Sequence, residues 1–181
     1  MNMPDGFEHL PGLISEEEEK RLVAEAAQLP FKPFEFRGYV GNRRVVSFGW
    51  LYDFNDSKLK KADEMPQFLL PVRDAAAQFA RIPPSSIQHA LITEYSTGAA
   101  IGWHLDRNIF DDVIGISLNA ACTLRFRRKD GQKWDRASMT LEPRSAYILR
   151  GPARTEWQHS IPAVDGLRYS ITFRTMKTGR V

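Results

Sequence analysis

Apolar residues in the first 80 positions recur at helical intervals in two segments. The first segment, residues 15–29, begins with Ser15 and Glu18 at the spacing of a capping box. The second, residues 66–80, contains Pro71, which should kink the helix or delay its start because proline lacks a backbone N–H. The pattern predicts two amphipathic helices in the N-terminal part of the chain.

From Ile87 onward the apolar residues are spaced with a period of two. Short segments rich in β-branched and aromatic residues follow one another, separated by Gly, Pro or Asp: HALITEY, VIGISL, TLRFRR, SAYILR and LRYSITFR. KDGQ predicts a hairpin turn with Asp130 and Gly131 at its centre. We expect an α+β, mainly β fold, in which residues 87–177 form an antiparallel double-sheet roll with the two helices packed on its outside.

Composition narrows the class of protein. The chain has 181 residues, 43% hydrophobic and 26% charged, which suits one soluble domain over residues 1–181 with no apolar run that could cross a bilayer. Its start carries no secretory signal, so we expect a cytoplasmic protein. Cys122 is the only cysteine, so an internal disulfide and thiolate-rich zinc sites are excluded. The net charge of +3 allows a polyanionic partner without requiring one.

Residues 103–106 read WHLD and contain the first candidate metal ligands. In an extended strand, His104 and Asp106 would point to one face and Leu105 to the other. His159 could add a third ligand from a later strand. Two histidines and one carboxylate form the facial triad of non-haem Fe(II) oxygenases, which leaves coordination positions open. The ordinary alternative is a chance pair of residues and a partly buried histidine near a strand end.

Residues 168–174 read RYSITFR and suggest a reason for a reactive metal. As a strand, this segment would carry Arg168, Ser170, Thr172 and Arg174 on one face and bulky apolar residues on the other. If the polar face lines the mouth of the roll, its two guanidiniums could bind a dicarboxylate. The alternative is an amphipathic strand with its arginines in water.

Three segments, LITEYSTGAAIGWHLD, EWQHSI and RYSITFR, resemble in this order the AlkB family of Fe(II)- and 2-oxoglutarate-dependent dioxygenases. GWLY at 49–52 and MPQF at 65–68 also look like segments of that family, so the similarity covers most of the chain. The resemblance implies a double-stranded β-helix, or jelly roll. It also implies an oxidoreductase that uses Fe(II), 2-oxoglutarate and molecular oxygen, converts 2-oxoglutarate to succinate and carbon dioxide, and hydroxylates a C–H bond of its substrate.

The resemblance assigns roles to particular residues. The iron ligands would be His104, Asp106 and His159. Arg168 would pair with the distal carboxylate of 2-oxoglutarate, Tyr95 would hydrogen-bond there, and Arg174 would lie near the carboxylate beside the metal. Ser170, in the co-substrate strand, and Thr93 stand where the family commonly has asparagine, which alters the hydrogen bonds to 2-oxoglutarate but keeps its charge partner.

The best-known members of the family remove methyl groups from DNA or RNA bases, with a lid that stacks the extruded base near the iron. Residues 31–55 are the candidate lid here, because aromatic and basic residues alternate along them. The candidate substrate residues are Arg37, Tyr39, Trp50, Tyr52 and Asn108. The lid has an equal alternative, a β-hairpin whose aromatic side chains reach the core. Asn108 stands where repair members commonly carry an acid, and this bears directly on substrate choice.

The resemblance therefore predicts a monomeric enzyme, active in DNA repair, that oxidatively demethylates alkylated bases in single-stranded DNA or RNA and releases formaldehyde. One rival is a hydroxylase or demethylase of modified tRNA or of a protein side chain, for which Asn108 leaves room. A rival of another class is a non-catalytic nucleic-acid-binding module. The basic stretch RFRRKDGQK could contact phosphates or could be a charged hairpin that protects a sheet edge.

Overall fold

The computed structural model describes residues 2–36, 39–53 and 58–177. The helices are α1 Glu16–Ala26, α2 Leu70–Ala80 and α3 Gly151–Thr155. The strands are β1 Phe7–Leu10, β2 Lys32–Phe36, β3 Tyr39–Phe48, β4 Trp50–Asp53, β5 Lys58–Lys61, β6 Ile87–Tyr95, β7 Ile101–His104, β8 Phe110–Leu118, β9 Cys122–Asp130, β10 Lys133–Leu141, β11 Ala146–Leu149, β12 Gln158–Ile161 and β13 Arg168–Met176.

The larger sheet has seven strands in the order β1-β11-β8-β13-β6-β3-β2, and its neighbours pair antiparallel. One face of it packs against α1 and α2, in a core that joins Leu22 and Val72 of the helices to Ile92, Ile116 and Phe173 of the sheet. Burial of this face explains why the sheet strands carry β-branched and aromatic residues at every second position.

The smaller sheet has four antiparallel strands in the order β10-β9-β12-β7. A second core joins the two sheets, with Val113 and Leu149 from the larger sheet and Leu124 and Phe126 from the smaller one. Two sheets that face each other across an apolar interior form the expected jelly roll, with α1 and α2 on its outside. The fold prediction is confirmed.

Both predicted helices form for the reasons that the sequence suggested. At the start of α1, the Glu18 backbone N–H donates to the Ser15 hydroxyl, and the Ser15 backbone N–H donates to the Glu18 carboxylate. Before α2, residues 67–69 form a 3-10 turn, and Pro71 occupies the first turn of the α-helix. Proline is tolerated there because the N–H of that turn has no partner within the helix, so Pro71 delays the start instead of kinking the helix.

Three local expectations differ from the structure. The hairpin between β9 and β10 pairs Asp130 with Lys133, so Gly131 and Gln132 form its loop, with a positive φ of 58° at Gly131. β7 ends at His104, so Asp106 lies in the loop that follows, and Leu105 is 44% exposed where we expected it to pack. The strands β1, β2 and β3 join the larger sheet although the apolar period of two becomes evident only from Ile87 onward.

In the part of the chain that the structure describes, no helix combines the length and the apolar character that crossing a membrane requires.

Candidate active site

Two histidines face each other at the edge of the smaller sheet. His159 of β12 and His104 of β7 are direct partners in the antiparallel ladder, and their ring centroids lie 4.2 Å apart. Because neighbouring residues of a strand point to opposite faces, this register directs both imidazoles toward the interior of the roll. The chain segment after β7 then brings Asp106 to the same place, with its Oδ2 atom 3.5 Å from His159 Nε2.

The Asp106 carboxylate is held from the larger sheet. Arg174 of β13 donates from Nη2 to Asp106 Oδ1 over 3.0 Å, and both side chains are largely buried, 12% and 7% exposed. One carboxylate oxygen is thereby engaged by the guanidinium, and the other faces His159. This pair joins the two sheets across the roll, and it keeps the carboxylate fixed in position.

The protonation states at this cluster are those that metal ligands require. Burial opposes ionisation of Asp106, but the Arg174 guanidinium, together with His159 and His104, outweighs it and holds the pKa of the carboxyl well below its usual range. Burial, together with the nearby His104, lowers the pKa of His159 to about 3. Near pH 7 the cluster therefore contains an ionised carboxylate and a neutral imidazole, which are the forms that bind a metal ion.

The hydrogen bonds of His104 leave a ring nitrogen free to bind a metal ion. Its Nδ1 atom lies 2.9 Å from the backbone oxygen of Gly102, an arrangement that assigns the proton to Nδ1 and leaves the lone pair of Nε2 unused. Within the described ranges, no three His, Cys, Asp or Glu side chains are grouped so that they could hold a metal ion as they stand. The fit to Fe(II) therefore depends on the donor types, two imidazoles and one carboxylate, and on their protonation.

A second guanidinium lies at the start of β13, six residues before Arg174. Arg168 is 1% exposed, and its Nε and Nη2 atoms donate to the Ser117 hydroxyl of β8 over 3.3 and 3.2 Å. The guanidinium carbon lies 4.7 Å from the centre of the Tyr95 ring, its ladder partner on β6. Arg168 Nη1 is buried and has no hydrogen-bond partner among the residues that the structure describes. A buried cationic donor without a partner is costly, so this atom is suited to receive an anion.

The polar face of β13 lies inside the molecule. Ser170 and Thr172, between the two arginines, are 7% and 9% exposed. The core between the larger sheet and the helices contains the residues on the opposite face of β13, which are Tyr169, Ile171 and Phe173. The alternative of an amphipathic strand with its arginines in water is therefore wrong, because both faces of β13 are covered.

Sequence patterns missed four residues that shape this interior. The Ser117 hydroxyl accepts hydrogen bonds from Arg168. The Nδ1 atom of His89, on β6, lies 3.4 Å from Arg174 Nη1. Tyr147 of β11 lies opposite Gly115 of β8, where a Cβ atom would stand 2.3 Å from the tyrosine ring. Burial raises the pKa of Tyr147, and its neighbours Tyr95 and Asp106 raise it further.

A sequence signal existed for two of these residues. Ser117 is the lone polar residue in the apolar run VIGISL, and Gly115 interrupts the β-branched residues of the same strand. Such exceptions in a buried strand indicate a hydrogen bond or a close approach of another group. His89 and Tyr147 gave no comparable signal, because each fits the alternation of its own strand.

The candidate lid is partly described. Its described residues form the β2–β3 hairpin, which extends the larger sheet because β3 pairs with β6, and the strand β4, which pairs with β5 in a separate sheet. Trp50 is half-buried at the start of β4. Arg37 and the side chains of Tyr39 and Tyr52 lie outside the described residues.

Two arginines of the hairpin have partners that the structure describes. The Arg43 guanidinium lies 3.8 Å from the centre of the Phe34 ring, and Arg44 forms an ion pair with Glu94 at 2.7 Å. Asn108, the remaining candidate, is exposed, and its side-chain oxygen accepts a hydrogen bond from Lys177 over 2.5 Å.

Comparison with known proteins identifies the family of this chain. Residues 6–180 match the family model described as "2OG-Fe(II) oxygenase superfamily". The chain is 28% identical to "Alkylated DNA repair protein ALKBH8 homolog" of Arabidopsis thaliana, over 90% of this chain and 52% of that protein. It is 25% identical to "RNA demethylase ALKBH9B" of the same plant, over 97% of this chain and 40% of that one. The chain thus spans about half the length of the curated relatives it matches.

The fold also matches a solved structure, "The structure of OsALKBH1", with a TM-score of 0.71 and 16% sequence identity over 97% of this chain and 98% of that one. At this identity the match concerns the fold alone. The family match covers nearly the whole chain. The chain therefore belongs to the 2OG-Fe(II) oxygenase superfamily, as an oxidoreductase of the AlkB family whose members use Fe(II), 2-oxoglutarate and molecular oxygen.

Proposed function

We propose that this oxygenase oxidatively demethylates alkylated bases in nucleic acid. The observation that carries the proposal is the pairing of two features inside one roll. One is the cluster of His104, Asp106 and His159, and the other is the buried Arg168 guanidinium with an unpartnered Nη1 atom. A binding module without catalytic activity has no need for a neutral imidazole beside an ionised carboxylate and a buried cation.

His104, Asp106 and His159 would hold the Fe(II) ion. Bound there, the ion would couple the oxidative decarboxylation of 2-oxoglutarate to hydroxylation of a substrate C–H bond. The free Nε2 of His104, the neutral His159 and the Asp106 oxygen that faces it are the atoms that we assign to the metal. Arg174 would keep the carboxylate oriented through its 3.0 Å hydrogen bond.

Arg168 would bind the distal carboxylate of 2-oxoglutarate. Its Nη1 atom has a hydrogen bond to give, its other nitrogens are fixed by Ser117, and the Tyr95 ring covers the guanidinium. Ser170, buried on the same face of β13, would add a hydroxyl near the co-substrate. A charged pair formed in this buried place is favoured because little solvent competes for it.

An alkylated base is supported as the substrate by the relatives and by the hairpin. The two Arabidopsis relatives are named for alkylated DNA repair and for RNA demethylation. The half-buried Trp50 and the cationic Arg43 lie in segments of the lid, and aromatic and cationic groups together favour unpaired bases. Hydroxylation of a methyl group on a base nitrogen gives a product that releases formaldehyde and restores the base.

Formaldehyde release tests the proposal. The protein is incubated with Fe(II), ascorbate and 2-oxoglutarate, and with single-stranded DNA or RNA that carries 1-methyladenine or 3-methylcytosine. We expect formaldehyde to appear together with succinate, and neither product with the His159→Ala variant. Succinate without formaldehyde on every methylated strand would contradict the demethylase proposal and direct the search to protein side chains.

A further inference from the structure

The outer face of the smaller sheet is basic and aromatic. Alternate residues of its strands point away from the roll interior, because Leu124, Phe126 and His159 point inward. The outward residues that concern us, which we call the basic-aromatic face, are Trp103, Arg125, Arg127, Lys129, Trp134 and Arg136. At the outward positions of β9, β10 and β12, all of them described, no carboxylate balances these four cations.

Two of the cations are placed against each other. Arg127 of β9 and Arg136 of β10 are direct partners in the ladder, and Arg136 is exposed. Like charges at directly opposed positions destabilise an antiparallel pair. The neighbouring pair of Trp134 with Lys129 adds a further charge within the same hairpin. An anion bound over this face would relieve the repulsion.

A ladder of flat side chains crosses the same face. The Arg127 guanidinium carbon lies 4.5 Å from the ring centre of Trp103 on one side and 4.5 Å from that of Trp134 on the other. Arg125 lies 5.1 Å from the Trp103 ring. The guanidiniums are held by side chains of the neighbouring strand β12, since Arg127 donates to Gln158 over 2.7 Å and Arg125 to Ser160 over 3.1 Å.

The ladder ends in an exposed ring. Trp134 is 41% exposed, which is unusual for a tryptophan on a regular sheet. Ordered cations next to an accessible indole ring are what a nucleic acid strand with unpaired bases requires, because phosphates pair with the cations and bases stack on the ring.

The face is connected to the candidate active site through β7. Trp103 and His104 are consecutive residues of β7, so Trp103 points to the outer face and His104 points to the interior. Arg43 of the β2–β3 hairpin also reaches the backbone oxygen of Ala100, just before β7, over 3.5 Å. The four strands span about 14 Å at the usual spacing. A strand lying across them from Trp134 would reach the β7 edge, which carries His104 and which Arg43 of the hairpin contacts.

We propose that the basic-aromatic face is a docking surface for single-stranded nucleic acid, which holds the strand on which the candidate active site acts. This proposal rests on the proposed function for the identity of the strand, but the binding itself can be measured without turnover. It also assigns a role to the basic stretch of residues 125–133, for which the sequence left open phosphate contact or protection of a sheet edge.

Binding of an unmethylated, fluorescein-labelled single-stranded oligonucleotide is the direct test, with fluorescence anisotropy as the readout. We expect Trp134→Ala to weaken affinity about 5- to 150-fold, as for one lost base stack. Arg136→Ala should reduce the salt dependence, with a slope of log K against log salt lower by about 0.7. The experiment compares DNA and RNA of the same sequence, each as a single strand and as a duplex. Single strands should bind more tightly than duplexes.

Matched substitutions on other faces provide the controls. Leu10→Ala removes a side chain of similar exposure, 37%, at the end of β1, and Arg21→Ala removes an exposed cation from α1 on the far side of the larger sheet. Both controls should bind as the wild type does. Wild-type affinity and salt slope in Trp134→Ala and Arg136→Ala would overturn the proposal and leave the ladder with a role in the sheet alone.

A turnover arm separates this proposal from the proposed function. Trp134→Ala should raise KM for a methylated oligonucleotide and leave kcat, and the rate on the nucleoside 1-methyladenosine, unchanged. If the wild type releases no formaldehyde but the two variants lose binding, the proposed function fails and the docking surface stands. If the wild type demethylates the oligonucleotide and the variants keep its affinity and KM, the docking surface fails and the function stands.

Discussion

His159 and His104 are direct partners across β12 and β7, with imidazole centroids 4.2 Å apart. This one register position brings together two residues that are distant in the sequence. Asp106 completes the cluster from the loop after β7, where Arg174 fixes it. The functions of the two sheets therefore differ. The smaller sheet supplies the imidazoles that we assign to iron, and the larger sheet supplies the guanidiniums of Arg168 and Arg174, which we assign to anions beside the imidazoles.

Replacing Asp106 with alanine should abolish succinate formation while the fold persists, because Asp106 supplies the only carboxylate that we assign to the metal. Succinate production and far-ultraviolet circular dichroism measure the two effects. Asp112→Ala is the matched control, since it breaks another Asp–Arg pair, to Arg150 at 2.8 Å, outside this cluster. Full turnover in the Asp106 variant would refute the ligand assignment.

Replacing Arg168 with alanine should weaken 2-oxoglutarate binding by roughly 2–5 kcal/mol, the usual cost of breaking a buried charge pair. This corresponds to an increase in Kd of about 30-fold to several thousand-fold, which calorimetric titration can measure. Arg81→Ala, which removes a 65% exposed arginine paired with Glu8, should leave Kd unchanged. An unaltered affinity in the Arg168 variant would place the co-substrate elsewhere.

Replacing Trp50 with alanine should reduce formaldehyde release from a methylated strand and leave uncoupled succinate formation intact. The reason is that Trp50 belongs to the candidate lid and not to the cluster around Asp106. Rates of both products in the same reaction check this. Undiminished formaldehyde release would argue against Trp50 as part of the lid.

Replacing Gly115 with alanine should lower the free energy of unfolding by about 1–3 kcal/mol, the range for overpacking a core. The added methyl group would stand 2.3 Å from the Tyr147 ring, which lies against the backbone of β8. Urea denaturation measures the change. Gly166→Ala is the control, because its new Cβ would approach nothing nearer than Ala120 at 4.0 Å. Equal stability of both variants would show that Tyr147 moves aside freely.

The sequence predicted those parts of the fold that depend on local spacing. The Ser15 capping box, the delayed start of α2 at Pro71 and the alternation of β13 all follow from residues a few positions apart, and the structure confirms them. The loop at Gly131 was shifted by one residue, because the pairing of Asp130 with Lys133 depends on the register of two whole strands. Leu105 was misassigned because β7 ends at His104, two residues before the end of the motif.

The sequence also predicted part of the candidate site. The family motifs named His104, Asp106 and His159, which lie close together, and Arg168, which is buried on the inward face of β13. Sequence alone could not reveal that Ser117 fixes Arg168 or that Tyr147 fills the space beside Gly115, because such contacts join strands that are adjacent only in the folded sheet. The ladder of Trp103, Arg127 and Trp134 was hidden for the same reason, since it joins the β9–β10 hairpin to β7, which lies elsewhere in the sequence.

The most direct test of this account is a visible absorption titration under anaerobic conditions. Fe(II) and then 2-oxoglutarate are added to the wild type and to the His159→Ala and Arg168→Ala variants. We expect a charge-transfer band in the wild type, no band in the His159 variant, and a band in the Arg168 variant only at much higher 2-oxoglutarate concentration. The same band at the same concentrations in all three proteins would contradict the assignment of both residues.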